Sequence, residues 1–396
     1  INESKAKDFI LKNQGLIDAV AKSVSGLVRD ANGNLDVYSA DNLEKILSYK
    51  GHLGISNQDN LTSIDELQYY RNVTGITLDR NKNLAGKLDF SKYPQLVGNI
   101  IVQNSPLVTS IDVTGLDKIT AFSATNMKNM TDVTIKGNSK LQTVSLHHNE
   151  SLQAVDVRDL PELRLVETYY SKSVTTIKTA GSPKLTSINA TSSGSLSSIP
   201  GLNENTQLVD FVAPYTPLES LDFSNQPNLR SVNLLSAKIK ELKGLAASGT
   251  NLKNLQLSNT QLSSLDVSNN TELLELELYN SKITKLDITA NKKLKRLRIP
   301  LNPLEELILG DNTALEYLDI SHDRLSTLDI TKLTGLKKVY AGRQSQKANP
   351  GILQSMTVYY TAAQKTVLDP VIAGSKDPSK VNYAETNADA TYVVKN

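Results

Sequence analysis

Two histidines and two tyrosines stand in adjacent pairs, His147–His148 and Tyr169–Tyr170, with Glu167 just ahead of the second pair. Asp210 and Tyr215 follow further along the chain. Imidazoles can ligate a metal, and tyrosine offers a flat apolar face with a hydroxyl, which suits a sugar ring or a protein hot spot. A metal needs convergent ligands, however. Neighbouring residues on a strand point to opposite faces unless a bulge or turn intervenes, so His147 and His148 are expected to make a poor chelate even with Glu167 near. The other two histidines, His52 and His322, lie far away in sequence. A second zone is charged: Glu275 and Glu277, Arg296 and Arg298, Tyr317 and Asp319, Lys338 and Tyr340. Its signs alternate, which predicts lateral ion pairs that set register, with ligand binding as the secondary reading. The sequence holds no Ser-His-Asp constellation, glycine-rich phosphate loop or H-E-x-x-H helix. No catalytic residue, cofactor or metal is expected.

The elements that position these residues follow from a period. Leu252, Leu273, Leu294, Leu315 and Leu336 stand 21 residues apart, and the first four open LKNLQLSNTQL, LLELELYNSKI, LKRLRIPLNPL and LEYLDISHDRL. These fit L-x-x-L-x-L-x-x-(N/S/T/D)-x-(L/I), the leucine-rich-repeat pattern. Upstream, equivalent starts fall at Leu229, Leu208, Leu185, Leu163, Leu141, Ile119, Val97, Val73 and roughly Lys50, in steps of 21 to 24 residues. One coil cannot bury its apolar side alone, so the coils must stack. The expected fold is an α/β-class leucine-rich-repeat solenoid: a right-handed superhelix with a parallel concave β-sheet and a mostly extended or 3₁₀ convex side. Places three, five, seven and eight of each phrase then line the concave face, about 4.8 Å from their counterparts in adjacent coils. Both candidate zones are drawn from these columns.

Two further columns belong to the architecture. The ninth place carries Asn81, Ser105, Asn149, Ser171, Ser193, Thr216, Thr260, Ser281, Asn302 and Asp323, interrupted by Met127 and Ala237. A polar side chain aimed into the stack must be hydrogen-bonded, since burying it unpaired costs about 1–3 kcal/mol. In the second half of each unit an L-D-(V/I/F) core places Asp89, Asp112, Asp156, Asp222, Asp266, Asp287 and Asp329 ahead of turns. Carboxylates there are expected to accept backbone N–H groups and not to act in catalysis.

The ends are read as caps, which a solenoid needs to cover terminal core and strand edges. Residues 1–49 show helical spacing, with a second helix signalled by Asp41 and, three residues on, Glu44. Residues 50–340 are the solenoid and 341–396 a mixed C-terminal cap, in which Met356–Thr361 reads as a strand. A short helix broken near Pro370 and two further short strands complete it. Between the N-terminal helices, VRDANGNLDVYS has the shape of a calcium loop. Val28 and Ser39 stand where the end ligands are required, so a hydrogen-bonded Asn-Gly turn is expected instead.

With 43 basic and 41 acidic residues, no polyanion is implied, and nucleic acid is not an expected partner. Cysteine is absent, which removes disulfides, thiolate metal sites and cysteine nucleophiles. No stretch approaches the ~20 apolar residues of a membrane span. The chain opens at Ile1 and not Met, which is compatible with removal of an export segment.

The stretch LDVSNNTELLELELYNSKITKLDITANKKLKRLRI resembles the leucine-rich-repeat proteins of bacterial cell surfaces, especially those of Bacteroidetes and more distantly internalins. VRDANGNLDVYSADNLEKI is similar to the degenerate calcium-loop leader of that family, and MTVYYTAAQKTVLDP to its closing cap. The resemblance implies an extracytoplasmic recognition or adhesion module, commonly exported and often lipid-anchored on the precursor. The expected function is non-enzymatic: a monomer holding a protein partner on its concave face. The alternatives are a glycan-binding protein stacking sugars on Tyr169, Tyr170 and Tyr215, and a passive spacer.

Overall fold

The computed structural model describes residues 2–13, 15–374 and 387–396. The chain divides into two compact units, Ile1–Asn205 and Thr206–Asn396. In the first, successive concave rungs are Gly75–Asp79, Gly98–Gln103, Ile119–Thr125, Thr143–Ser145, Leu165–Glu167 and Ser187–Asn189, preceded by His52–Ser56. Each pairs in parallel with the next, so that Val144 lies beside Val166 and Val166 beside Ile188. In the second unit the rungs run from Asp210–Val212 to Lys338–Tyr340 in the same parallel manner, with Leu276 beside Leu297 and Leu297 beside Leu318.

The three apolar places of each phrase build the core. Leu141, Val144 and Leu146 have no exposed surface, and neither do Leu294, Leu297 and Ile299. Val97 departs from the pattern: it is half-buried, and Leu96 beside it is fully buried. Here Gly98, at φ 71°, accompanies a register shift in the pairing with the next rung. That irregularity lets Leu96 fill the core place.

The convex side is short extended pairs, such as Lys285–Asp287 with Glu306–Ile308, and 3₁₀ turns, such as Leu245–Asn251. At its corners the aspartates do as expected. Asp266 Oδ1 accepts Ser268 N at 2.9 Å, Asp287 Oδ1 accepts Thr289 N at 2.9 Å, and Asp329 Oδ1 accepts Thr331 N at 2.9 Å. Bonds to the ionised carboxylate hold Asp222 and Asp266 below the usual range, first from the hydroxyls of Ser224 and Ser268 and then from their backbone N–H groups, and hold Asp287 there through Thr289 N and then its hydroxyl.

Every member of the ninth-place polar column is buried. Asn149 is typical: its amide donates to Ala124 O at 2.7 Å and Leu146 O at 2.9 Å, while its Oδ1 accepts Met127 N at 2.9 Å. One side chain thus ties three positions in adjacent coils. A second buried column stands three residues before the opening leucine: Asn138, Ser182, Asn205, Gln226, Asn270, Asn291 and Asn312. Asn291 Nδ2 donates to Val267 O at 3.0 Å and Asn270 O at 2.9 Å, and Asn312 Nδ2 to Ile288 O and Asn291 O. Sequence reasoning missed it, although the spacing from each leucine is constant.

At the N-terminal end are α1 (Glu3–Asn13), α2 (Ile17–Ala21) and α3 (Ala40–Leu47). Buried Glu66 joins α2 to the solenoid, accepting Leu16 N at 2.8 Å and Tyr70 Oη at 2.7 Å. α3 begins earlier than the Asp41/Glu44 signal suggests, because Ser39 is the N-cap and accepts Asn42 N. In the calcium-like loop, Asp30 Oδ1 accepts Asn32 N and Asn34 N, both at 2.9 Å. Buried Asn42 binds both polar groups of the Val28 backbone and Asp36 O. A side-chain amide therefore clamps the loop to α3.

The strand Met356–Tyr360 pairs in parallel with Thr327–Asp329 and with Ala390–Val394. Pro370 does not break α4, which runs continuously through Ala362–Gly374. Gln364 anchors this helix, donating to Ile330 O at 2.7 Å and Leu333 O at 3.0 Å. The first of the two further strands expected near the C terminus falls outside the described residues.

Candidate functional site

The residues after each rung turn through a left-handed position, and this gives the aromatic zone its form. Asn104, Asn126, His148, Tyr170 and Ser192 occupy it in successive coils, at φ between 54° and 58°. Backbone bonds between coils continue across it: His148 N donates to Tyr169 O at 2.9 Å and Tyr170 N to Thr191 O at 2.8 Å. Asparagine tolerates this conformation, whereas a bulky side chain costs roughly 1–2 kcal/mol there.

The turn is the exception that keeps the two histidines from diverging as they would on a regular strand. With His148 left-handed, His147 Nδ1 and His148 Nδ1 lie 2.8 Å apart and the rings meet edge-on at 5.0 Å. His147 stacks flat on Tyr169, centroids 4.3 Å apart and planes 8° from parallel. His148 packs against Tyr170 at 5.0 Å, and the tyrosines meet edge-on at 6.1 Å. Burial, followed by the neighbouring His148, pushes the His147 imidazole below its usual range against the opposing pull of Glu167. Glu167 accepts Ser145 Oγ at 3.0 Å across the adjoining rung. The structure therefore brings His147, His148, Glu167, Tyr169 and Tyr170 into one cluster. Tyr170 keeps 55% of its surface exposed. Among the described residues no three His, Cys, Asp or Glu side chains converge as a metal site would require.

Asp210 and Tyr215 belong to the second unit. Asp210 opens its rung, beside Ser231, and Tyr215 is left-handed at φ 58° and 53% exposed.

The charged zone is closely knit. Arg296 Nε lies 2.6 Å from Glu277 Oε1, and Arg298 Nη1 lies 3.6 Å from Glu277 Oε2. Arg298 Nε stands 3.9 Å from Asp319 Oδ2. In strand register Glu275 faces Arg296 and Glu277 faces Arg298, so the short bond from Arg296 to Glu277 is diagonal. The guanidinium of Arg296 lies over Tyr317 at 4.1 Å, and that of Arg298 over Tyr279 at 4.8 Å. Asp319 has no exposed surface, and burial raises its carboxyl to about 6 against the opposing bonds from Ser321. Burial, followed by neighbouring Asp319 and Tyr340, also raises the Tyr317 hydroxyl, to about 12.

No family model matches the sequence, and no curated protein does. Among solved structures, an internalin of Listeria monocytogenes, InlF, is similar with a TM-score of 0.50 at 14% identity, over 82% of this chain and 94% of that one. The functional domain of InlJ from the same organism gives 0.41 at 19% identity, over 80% and 75% of the two chains. The Leptospira interrogans leucine-rich-repeat protein LIC12759 gives 0.40 at 16%, over 79% and 92%. Parallel rungs with leucines at three fixed places, together with the InlF likeness, decide the architecture. The fold is a leucine-rich-repeat solenoid. In this solenoid, polar amides and hydroxyls make the internal ladders, and of the candidate residues Tyr170 and Tyr215 are each more than half exposed, whereas Arg298 and Asp319 are buried. Among its described residues, no helix is long and apolar enough to cross a membrane.

Proposed function

We propose that this solenoid is a non-enzymatic recognition module, displayed outside the cytoplasm, that holds a protein partner on the concave face of its first unit. The supporting observation is Tyr170, which is both left-handed and more than half exposed. Left-handed backbone at a bulky residue and an aromatic ring left in water are both unfavourable for folding, and Asn126 serves the same corner without either. Contact with a partner is a reason to keep the ring. His148 packs against the ring and Tyr169, itself stacked on His147, meets it edge-on, so less side-chain freedom remains to be lost on binding. In the second unit Tyr215 has the same two properties, and with Asp210 it forms a separate contact candidate. The Glu275, Glu277, Arg296, Arg298, Tyr317 and Asp319 group is assigned a supporting role, because its charges already face one another.

The test is affinity capture from the extracellular milieu, with photo-crosslinking from position 170 and comparison with Tyr170→Asn. Asn is the natural occupant of the neighbouring corner, so the variant removes the ring and keeps the turn. A partner bound through this face should weaken on the order of tenfold or more. Capture unchanged by the variant would place the contact elsewhere.

A second reading, glycan binding, is favoured by one observation. Beside the cluster lies a shallow pocket of about 440 Å³, lined by Asn126, Lys128, His148, Glu150, Tyr170 and Lys172. All six of these side chains carry a hydrogen-bonding group.

A further inference from the structure

We propose that this pocket is a subsite for a carboxylate-bearing pyranose, a uronic-acid type of sugar residue. The inference deepens the glycan reading and rests on it. Its first ground is shape. Tyr170 supplies a single aromatic wall, 55% exposed, and the other lining groups are amide, imidazole, carboxylate and ammonium. Every other lining side chain ends in a polar or charged group. A pyranose presents one C–H face and a rim of hydroxyls, which matches one ring surrounded by donors and acceptors.

The second ground is charge. Two ammonium groups, from Lys128 and Lys172, stand against one carboxylate, from Glu150. Lys172 Nζ lies 3.7 Å from Glu150, a loose and exposed pair. Lys128 has no carboxylate partner among the described residues. A ligand carboxylate at Lys128 would meet a cation with no competing pair to break. His148 adds a donor from the left-handed corner, where it packs on the ring of Tyr170.

The third ground is the backbone. Asn126, His148 and Tyr170 occupy the left-handed place of three consecutive coils, and Lys128, Glu150 and Lys172 stand two residues later in the same coils. The pocket is therefore a patch of two adjacent columns, held in position by the rungs beneath. It does not depend on a loop having to close.

The experiment uses the full chain and three probes: methyl β-glucuronide, methyl β-glucoside and sodium acetate. Binding is followed by ligand-observed saturation-transfer NMR and by titration. The glucuronide should bind at least fivefold more tightly than the glucoside, and the preference should shrink as salt rises. Tyr170→Asn should abolish binding of both sugars. Lys128→Gln should erase the preference for the acid while leaving glucoside binding in place. Glu150→Gln should tighten the glucuronide severalfold by releasing Lys172, an outcome that a merely structural role for Glu150 would not produce. Equal binding of the two sugars, or full retention by Lys128→Gln, overturns the acidic subsite but leaves a glycan site standing. Acetate binding as tightly as the glucuronide overturns it as well, since only a carboxylate would then be recognised. If neither sugar binds, both this assignment and the glycan reading fall. Thermal melts of each variant alongside the parent distinguish lost binding from lost folding.

Discussion

Asp323 stands in a buried column in which Asn302 precedes it and Gln344 continues the ladder in the coil after it. Asn302 Nδ2 donates to Leu278 O at 2.7 Å and Ile299 O at 3.1 Å, and Gln344 Nε2 donates to Ile320 O at 2.7 Å and Ala341 O at 3.1 Å. Asp323 keeps the accepting half of this pattern, taking Asn302 N at 2.9 Å, but its buried Oδ2 has no hydrogen-bond partner. Burial drives its carboxyl well above the usual range, opposed by the bond from Asn302. Asp323→Asn restores the missing donor and should stabilise the protein at neutral pH by about 1–3 kcal/mol. The sign with pH follows from linkage. A carboxyl whose folded pKa is raised contributes most below its unfolded pKa, near 4, and loses that contribution as pH rises toward the folded value. The advantage of the variant, read from urea midpoints, should therefore grow between pH 5 and pH 8. A constant difference across that range would mean that Asp323 is ionised throughout. Asp319, raised to about 6 by burial, adds a loss of the same sign between about pH 4 and pH 6.

At the scale of the coil, the two halves of a repeat rest on polar groups of unequal weight. Asn291 is buried and holds two carbonyls from neighbouring positions, while the Asp287 turn is exposed. Asn291→Ala should cost about 2–4 kcal/mol, because it strands two buried acceptors, and Asp287→Ala about 1 kcal/mol or less. Urea unfolding that ranks them the other way would show that the corner turns, and not the amide ladder, hold the coils together. α4 makes a different point. Pro370 lies inside a helix that continues to Gly374, where proline removes a donor and crowds the preceding turn. The anchor through Gln364, with the bond from Tyr360 Oη to Asp369 at 2.8 Å, holds the helix in place despite it. Pro370→Ala should raise the melting temperature by a few degrees, on the order of 1 kcal/mol. A lower melting temperature would show that the proline is part of how the helix packs.

Over the whole molecule, the charge balance of +2 conceals many ion pairs, a number of them between exposed side chains in adjacent coils. Lys184 with Glu162 at 2.9 Å and Lys285 with Glu306 at 3.6 Å are representative. Such pairs contribute roughly 0–1 kcal/mol each and are screened by salt. Raising sodium chloride from 0.05 M to 1 M should move the melting temperature by no more than about 3 °C. A fall of ten degrees would mean that surface electrostatics, and not the leucine and amide ladders, carry the stability.

The sequence by itself determined the rungs, the buried leucines, the ninth-place polar column and the aspartate turns. These are readable because a solenoid makes translation along the chain equivalent to translation in space. Leu141, Leu163 and Leu185 are neighbours for the same reason that they are equally spaced. The second amide column, with Asn138, Asn270, Asn291 and Asn312 three residues before each opening leucine, was legible on the same principle and was overlooked. What only the tertiary structure decided are features set by backbone handedness and by packing between coils. The alternation of a strand predicts that His147 and His148 diverge, yet a left-handed turn at His148 brings their rings together and aligns Tyr170 with them. The complete burial of Asp319 likewise depends on how its neighbours fold over it, which no period records. Repetition encodes which residues recur, whereas the sign of a single φ angle decides which of them face the same space.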